Sequence, residues 1–193
     1  MCQSYNMDKV GQFLKTSNES YTITASGQRV NGTPLRAAFM NKKMSGSFVF
    51  ETYLKRGNAD GFGGLMIQDE NGYYIMPYLL INAADSYYGV KVYSPDGKSW
   101  NNVVDQVRFG TMSNYDCYIR IEKRSKEIKC FWKDFENDPW TEIATYNASQ
   151  DMFGYETFVG FSVCGNAQTN PAQYIFSNYI LREIESPTLI ILK

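Results

Sequence analysis

YDCYIRIEKRSKEIKCFWKDFENDPWTEI, residues 115–143, is the stretch from which the fold class of this chain follows. Cys117, Ile119 and Ile121 fall on one side of a two-residue alternation, and Tyr118, Arg120, Glu122 and Arg124 fall on the other. A polar turn at Ser125 and Lys126 follows, and Ile128, Cys130 and Trp132 then repeat the apolar side. A two-residue turn sets Ile121 opposite Cys130; both belong to the apolar set, so turn length and pattern agree on one register. The polar loop 133–139 leads into a third run, Trp140 to Ile143. A helical period of about 3.6 residues would scatter these apolar positions around the circumference. The stretch is a β-meander with one buried and one wet face, and Trp132 belongs to the core.

The same alternation extends in both directions. Residues 21–25 form a short strand and 35–44 an edge strand. After Gly46, Phe48, Phe50, Thr52 and Leu54 share one face, and Val49, Glu51, Tyr53 and Lys55 the other. Asn71-Gly72, between two strand-like runs, is the strongest hairpin signal in the chain. Residues 73–82 are nearly apolar throughout, which predicts a central strand covered on both faces, while Pro77 within it argues for an edge or a bulge. Residues 87–93, 103–109, 158–164 and 173–184 supply further strands. Segments 90–103 and 128–143 both run strand, polar turn, Trp, strand, which is one hairpin chemistry used twice. Roughly a dozen strands with frequent turn signals and no long helical period predict an all-β, two-sheet antiparallel β-sandwich. The expected division is an N-terminal extension over 1–20, the sandwich over 21–184, and a tail or edge strand over 185–193.

Composition narrows the function. A chain of 193 residues suits one domain. Nineteen Lys and Arg against 20 Asp and Glu leave a net charge of -1, so bulk electrostatics draw it to neither nucleic acid nor anionic membrane. The absence of His excludes Ser-His-Asp and Cys-His catalysis and His-ligated metals. Cys2, Cys117, Cys130 and Cys164 lack zinc-type spacing and read as free thiols, Cys117 and Cys130 on apolar faces. No apolar run approaches the ~18 residues of a membrane span. The opening MCQSYNMDKV has neither the charged nor the apolar region of a signal peptide. The expected location is cytoplasmic, or extracellular or cell-surface where an export signal has been removed.

Five segments taken in order, GFGGLMIQDE (61–70), YDCYIRIEKRSKEIKCFWKD (115–134), WTEI (140–143), FVGFSVCGN (158–166) and YIFSNYIL (174–181), resemble the bacterial concanavalin A-like lectin/glucanase sandwiches associated with glycoside hydrolases. The resemblance covers about residues 21–184 and implies a jelly-roll sandwich that meets oligo- or polysaccharide. Gln68 stands where such domains often carry Arg, and the Asp-Gly-x-x-Trp turn falls at Asp96, Gly97 and Trp100 rather than before Trp140. SPDGKSW (94–100) also resembles the Asp-box turn of sialidases, one residue short. The Glu-x-Asp-x-x-Glu signature of jelly-roll glucanases is absent, and the nearest carboxylates are Asp69 with Glu70 and Glu51 with Glu122. No catalytic residue is assigned.

Sugar rings stack their C–H faces on aromatic side chains while amides, carboxylates and Arg meet the hydroxyls. Tyr74, Tyr78, Tyr88 and Trp100, with Gln68, Asn82, Asp85 and Arg120 as polar partners, are the candidate ligand residues. No cofactor is expected. A structural Ca²⁺ is a feature of the resembled family, and Asp60, Asp69, Asp85 and Asp96 have the right hardness without a recurring ligand spacing. The expected function is a non-catalytic carbohydrate-binding module. The alternatives are a glycoside hydrolase or polysaccharide lyase with an atypical site, and a structural or protein-interaction domain.

Overall fold

A computed structural model of the chain describes residues 2–4, 12–17, 19–26, 37–58, 61–81, 86–93, 106–111, 116–148, 152–165 and 171–184. Fourteen strands lie among them: β1 (Cys2–Ser4), β2 (Gln12–Ser17), β3 (Ser20–Ala25), β4 (Ala38–Ser45), β5 (Phe48–Asn58), β6 (Gly61–Gln68), β7 (Tyr74–Ile81), β8 (Ser86–Tyr93), β9 (Gln106–Thr111), β10 (Asp116–Arg124), β11 (Glu127–Lys133), β12 (Thr141–Asn147), β13 (Glu156–Gly165) and β14 (Ala172–Glu183). They form two antiparallel seven-stranded sheets, ordered β1-β4-β13-β6-β7-β8-β9 and β12-β11-β10-β5-β14-β3-β2. The fold is all-β, as the alternation predicts.

The meander has the expected register, with Ile121 opposite Cys130 across the Ser125–Lys126 turn. Ser125 takes a positive φ of 54° there. Cys117, Ile119, Ile121, Ile128 and Cys130 are buried on the inward face, each large aliphatic among them contributing about 1.5–3 kcal/mol. The run 35–44 is not the edge it was expected to be, since β1 pairs outside β4. Likewise β2, within the first 20 residues, pairs with β3 at the rim of the second sheet.

The conflict over Pro77 resolves in favour of an interior strand, because β7 lies between β6 and β8. The β6–β7 ladder runs from Gly61↔Ile81 to Gly64↔Tyr78 and resumes at Ile67↔Ile75 in the same register. The ladder therefore skips the residues facing Pro77, whose nitrogen has no hydrogen to donate. Both faces of β6 and of β7 are buried. Leu65, Ile67, Ile75 and Leu79 face the second sheet in the main core, while Phe62, Met66, Tyr74, Met76, Tyr78 and Leu80 form a separate apolar cluster on the opposite face.

Two contacts lock sheet to sheet. The Tyr174 hydroxyl of β14 lies 2.7 Å from the Gly61 carbonyl and 3.1 Å from that of Leu79. Its ring occupies the space where a Cβ on Gly63 would approach within 2.3 Å, so only glycine fits there. At the other flank Tyr88 stacks on Trp132 with ring centroids 3.8 Å apart and planes 21° from parallel.

Candidate functional site

Among the described residues, the sequence-based ligand residues do not converge on one site. Gln68, Tyr74 and Tyr78 share the outer face of the first sheet, with Gln68 opposite Tyr74, but all three are buried. Tyr74 stacks on Tyr93 at 5.3 Å, and Tyr78 meets Phe62 edge-on at 5.1 Å. Tyr88 points into the core against Trp132. Tyr74, Tyr78 and Tyr88 thus have a packing role, each ring set against another ring of the protein. Its cause is the near-continuous apolarity of β7, which demands cover on both faces. Asn82, Asp85 and Trp100 lie outside the described residues, as do Asp60 and Asp96.

Arg120 sits elsewhere, on the outer face of the second sheet. Its Nε and a terminal nitrogen approach one Glu51 oxygen at 2.6 and 2.5 Å, and its guanidinium lies 4.1 Å from the centroid of Trp140. Lys133 bridges the rings of Trp140 and Tyr118 at 4.9 and 5.0 Å. Tyr118 in turn packs 5.0 Å from Tyr53, whose hydroxyl donates to Asp116 at 2.5 Å. Burial, and then that hydrogen bond, push the Tyr53 phenol well above its usual range. This partly exposed ladder satisfies its own charges.

The carboxylates considered for catalysis are also engaged. Glu51 is held by Arg120, and Glu122 accepts from Arg124 at 2.7 Å. Asp69 accepts from the backbone N–H groups of Asn71 and Tyr73 at 2.9 Å each and of Phe153 at 3.2 Å. Burial raises its pKa, and those N–H groups pull against the rise. It builds the Asn71-Gly72 hairpin, where Gly72 takes φ +88°, and ties the segment before β13 to it.

The sequence singles out none of the residues that do line an open concavity. A pocket of about 320 Å³ lies between the sheets, lined chiefly by Tyr21, Met40, Phe50, Phe161, Tyr179 and Leu181. Its aromatic rings touch: Tyr21–Tyr179 at 5.7 Å, Tyr21–Phe161 at 5.9 Å and Phe161–Tyr179 edge-on at 5.6 Å. Exposed Lys42 and buried Asn41 from β4 add polar groups. A hydrogen bond between the two tyrosines raises the Tyr179 phenol, with burial adding to it.

A β-bulge creates this pocket. Against β5, Ser177 faces Tyr53 but Ile180 faces Glu51, so two residues of β14, Asn178 and Tyr179, oppose Thr52 alone. Asn178 absorbs the extra length with φ +49°. Before the bulge Tyr174 and Phe176 face inward; beyond it Tyr179 and Leu181 pack against the core. The signal was present in YIFSNYIL, where the inward aromatics Phe176 and Tyr179 stand three apart instead of two.

No protein-family model matches the chain, and no curated protein sequence matches it. Solved structures do. A functionally unknown protein from Saccharomyces cerevisiae is similar with TM-score 0.70 and 12% identity, covering 91% of this chain and 97% of that one. Bacteroides ovatus "Xyloglucan PUL GH43B" gives TM-score 0.59 and 12% identity over 95% of this chain and 39% of that one. The GH43 protein BlXynB of Bacillus licheniformis gives TM-score 0.57 and 12% identity over 86% of this chain and 32% of that one. These likenesses establish a shared β-sandwich fold. The chain spans only a third or so of the length of the two GH43 chains.

Proposed function

We propose that the chain is a non-catalytic carbohydrate-binding β-sandwich module acting in bacterial glycan recognition or degradation. The observation that carries this reading is the pocket of about 320 Å³ walled by Tyr21, Phe161 and Tyr179. Its volume lies at the small end of the ~300–1,000 Å³ range of ligand pockets. Its aromatic faces suit the C–H faces of a pyranose, and its phenols and the Asn41 and Lys42 groups suit ring hydroxyls. No Asp or Glu is among the described residues lining it, which favours binding over glycosidic cleavage. The glycoside hydrolases among the structures of similar fold agree with a glycan setting.

The test is a panel of soluble polysaccharides scored both for retardation in affinity gels and for release of reducing or unsaturated ends. Retardation without product is expected, and Tyr179→Ala should weaken it about tenfold, the loss of one stacked ring at ~1–1.5 kcal/mol. Product formation would make the chain a hydrolase or lyase. Absence of both, across all glycans, would favour a structural or protein-interaction domain.

A further inference from the structure

At the pocket walled by Tyr21, Phe161 and Tyr179, β4 breaks its own alternation. Ala38, Met40 and Met44 pack on the core between the sheets, so Lys42, two residues from each methionine, holds a core-facing position. Its partner across the ladder is Val159 of β13, which is buried in that core. Lys42 is nevertheless exposed, because here the position opens on the pocket instead of on a packed layer. Its stem starts beside Met40 and Val159, and its ammonium stands in the opening with water.

The neighbouring lysine behaves differently. Lys43, on the opposite face of β4, pairs with Glu156 at 2.7 Å, whereas among the described residues no ion pair or hydrogen bond engages the Lys42 ammonium. Glu19, in the turn between β2 and β3, acts on the Tyr179 phenol from outside the lining. The described lining itself carries one cation and no anion. A neutral sugar seated on the aromatic wall would meet the donors of this ammonium and displace part of its water, but leave its charge unmatched. A carboxylate answers both the donors and the charge. In a uronic acid that carboxylate projects from the edge of the pyranose, so the ring face can lie on the aromatic wall while the edge meets the cation.

The geometry points to an acidic sugar as the occupant of this pocket: given the carbohydrate reading above, a uronic acid residue stacks its ring on the Tyr21–Phe161–Tyr179 wall and pairs its carboxylate with Lys42. The rings supply affinity common to neutral and acidic sugars, and Lys42 sets the preference between them.

The test is a titration of the ¹⁵N-labelled protein, followed by amide shifts. The probes are methyl glucuronide and methyl galacturonide, their neutral counterparts methyl glucoside and methyl galactoside, and acetate as a carboxylate without a ring. The expected result is saturable movement of the Asn41, Lys42, Gly160 and Tyr179 amides, with a uronide about fivefold tighter than its neutral counterpart at low ionic strength, as one solvent-accessible ion pair provides. At about 1 M salt, where the screening length falls to ~3 Å, that preference should vanish. Lys42→Met should bring the uronide down to the affinity of the neutral sugar, and Lys42→Arg should keep the preference; the site is exposed, so neither substitution disturbs the core. Equal affinity for uronides and neutral sugars would overturn the acidic-sugar assignment and leave the carbohydrate reading in place. A preference that survives Lys42→Met, or acetate binding as tightly as the uronides, would also overturn it. Stillness of these four amides with every sugar would overturn both.

Discussion

Lys123 shows how one residue can oppose the stability of the fold that holds it. By parity it belongs with Ile119 and Ile121, and it is buried like them, yet it carries a charge. In the folded protein its amine titrates near 8, against 10.5 ordinarily. Between those values the unfolded chain holds the proton and the folded one has released it, so this group makes stability rise with pH across that window. Below about pH 8 both states are protonated and the penalty is constant. A Lys123→Met variant should therefore be more stable at pH 7, by roughly 1 kcal/mol after allowance for solvent screening. The gap should close as pH rises toward 10.5. Urea denaturation of both proteins at intervals from pH 7 to about 10 measures this; a gap that stays constant would place the lysine's cost elsewhere.

At the scale of the element, β14 carries the argument. Its bulge changes which residues face inward, and Asn178 supplies the left-handed conformation that makes this possible at low cost. Asn178→Gly should leave stability within a few tenths of a kcal/mol, whereas Asn178→Val should destabilise by about 1–2 kcal/mol. Deleting Asn178 should restore regular pairing with β5, leaving Tyr179 opposite Thr52 and still facing inward but displaced along the strand, and weaken glycan retention; a deletion variant that binds unchanged would separate the pocket from the bulge. What was legible in the sequence divides along the same line. The β10–β11 register followed from a turn of known length joined to a clean alternation, both local. The cover over both faces of β7 followed from its apolarity, and with it the burial of Tyr74 and Tyr78. The Tyr21–Phe161–Tyr179 pocket left only the three-residue spacing of Phe176 and Tyr179 as a local trace, because its walls come from strands brought together only by the sheet order.

For the whole molecule, Cys117, Cys130 and Cys164 provide a probe of cooperativity. All three are free and buried, the first two inside the sandwich and Cys164 on the opposite face of the first sheet. Burial raises the thiols of Cys117 and Cys130 far above the range where thiolate forms. In a Cys2→Ser background, alkylation in native buffer should label none of the three faster than global unfolding, and all three should react together as urea approaches the midpoint. Earlier labelling of Cys164 alone would show that the outer layer of the first sheet opens independently.

The stack of Tyr88 on Trp132 has an optical consequence. The two rings come from different sheets and lie 3.8 Å apart, so their mutual orientation exists only while the sheets are in contact. Ladder hydrogen bonds govern the far-ultraviolet circular dichroism, whereas fixed aromatic geometry governs the near-ultraviolet bands. A state in which the sheets had slid apart with their strands intact would keep the first signal and lose the second, and Tyr88→Leu would silence that reporter in the native protein itself.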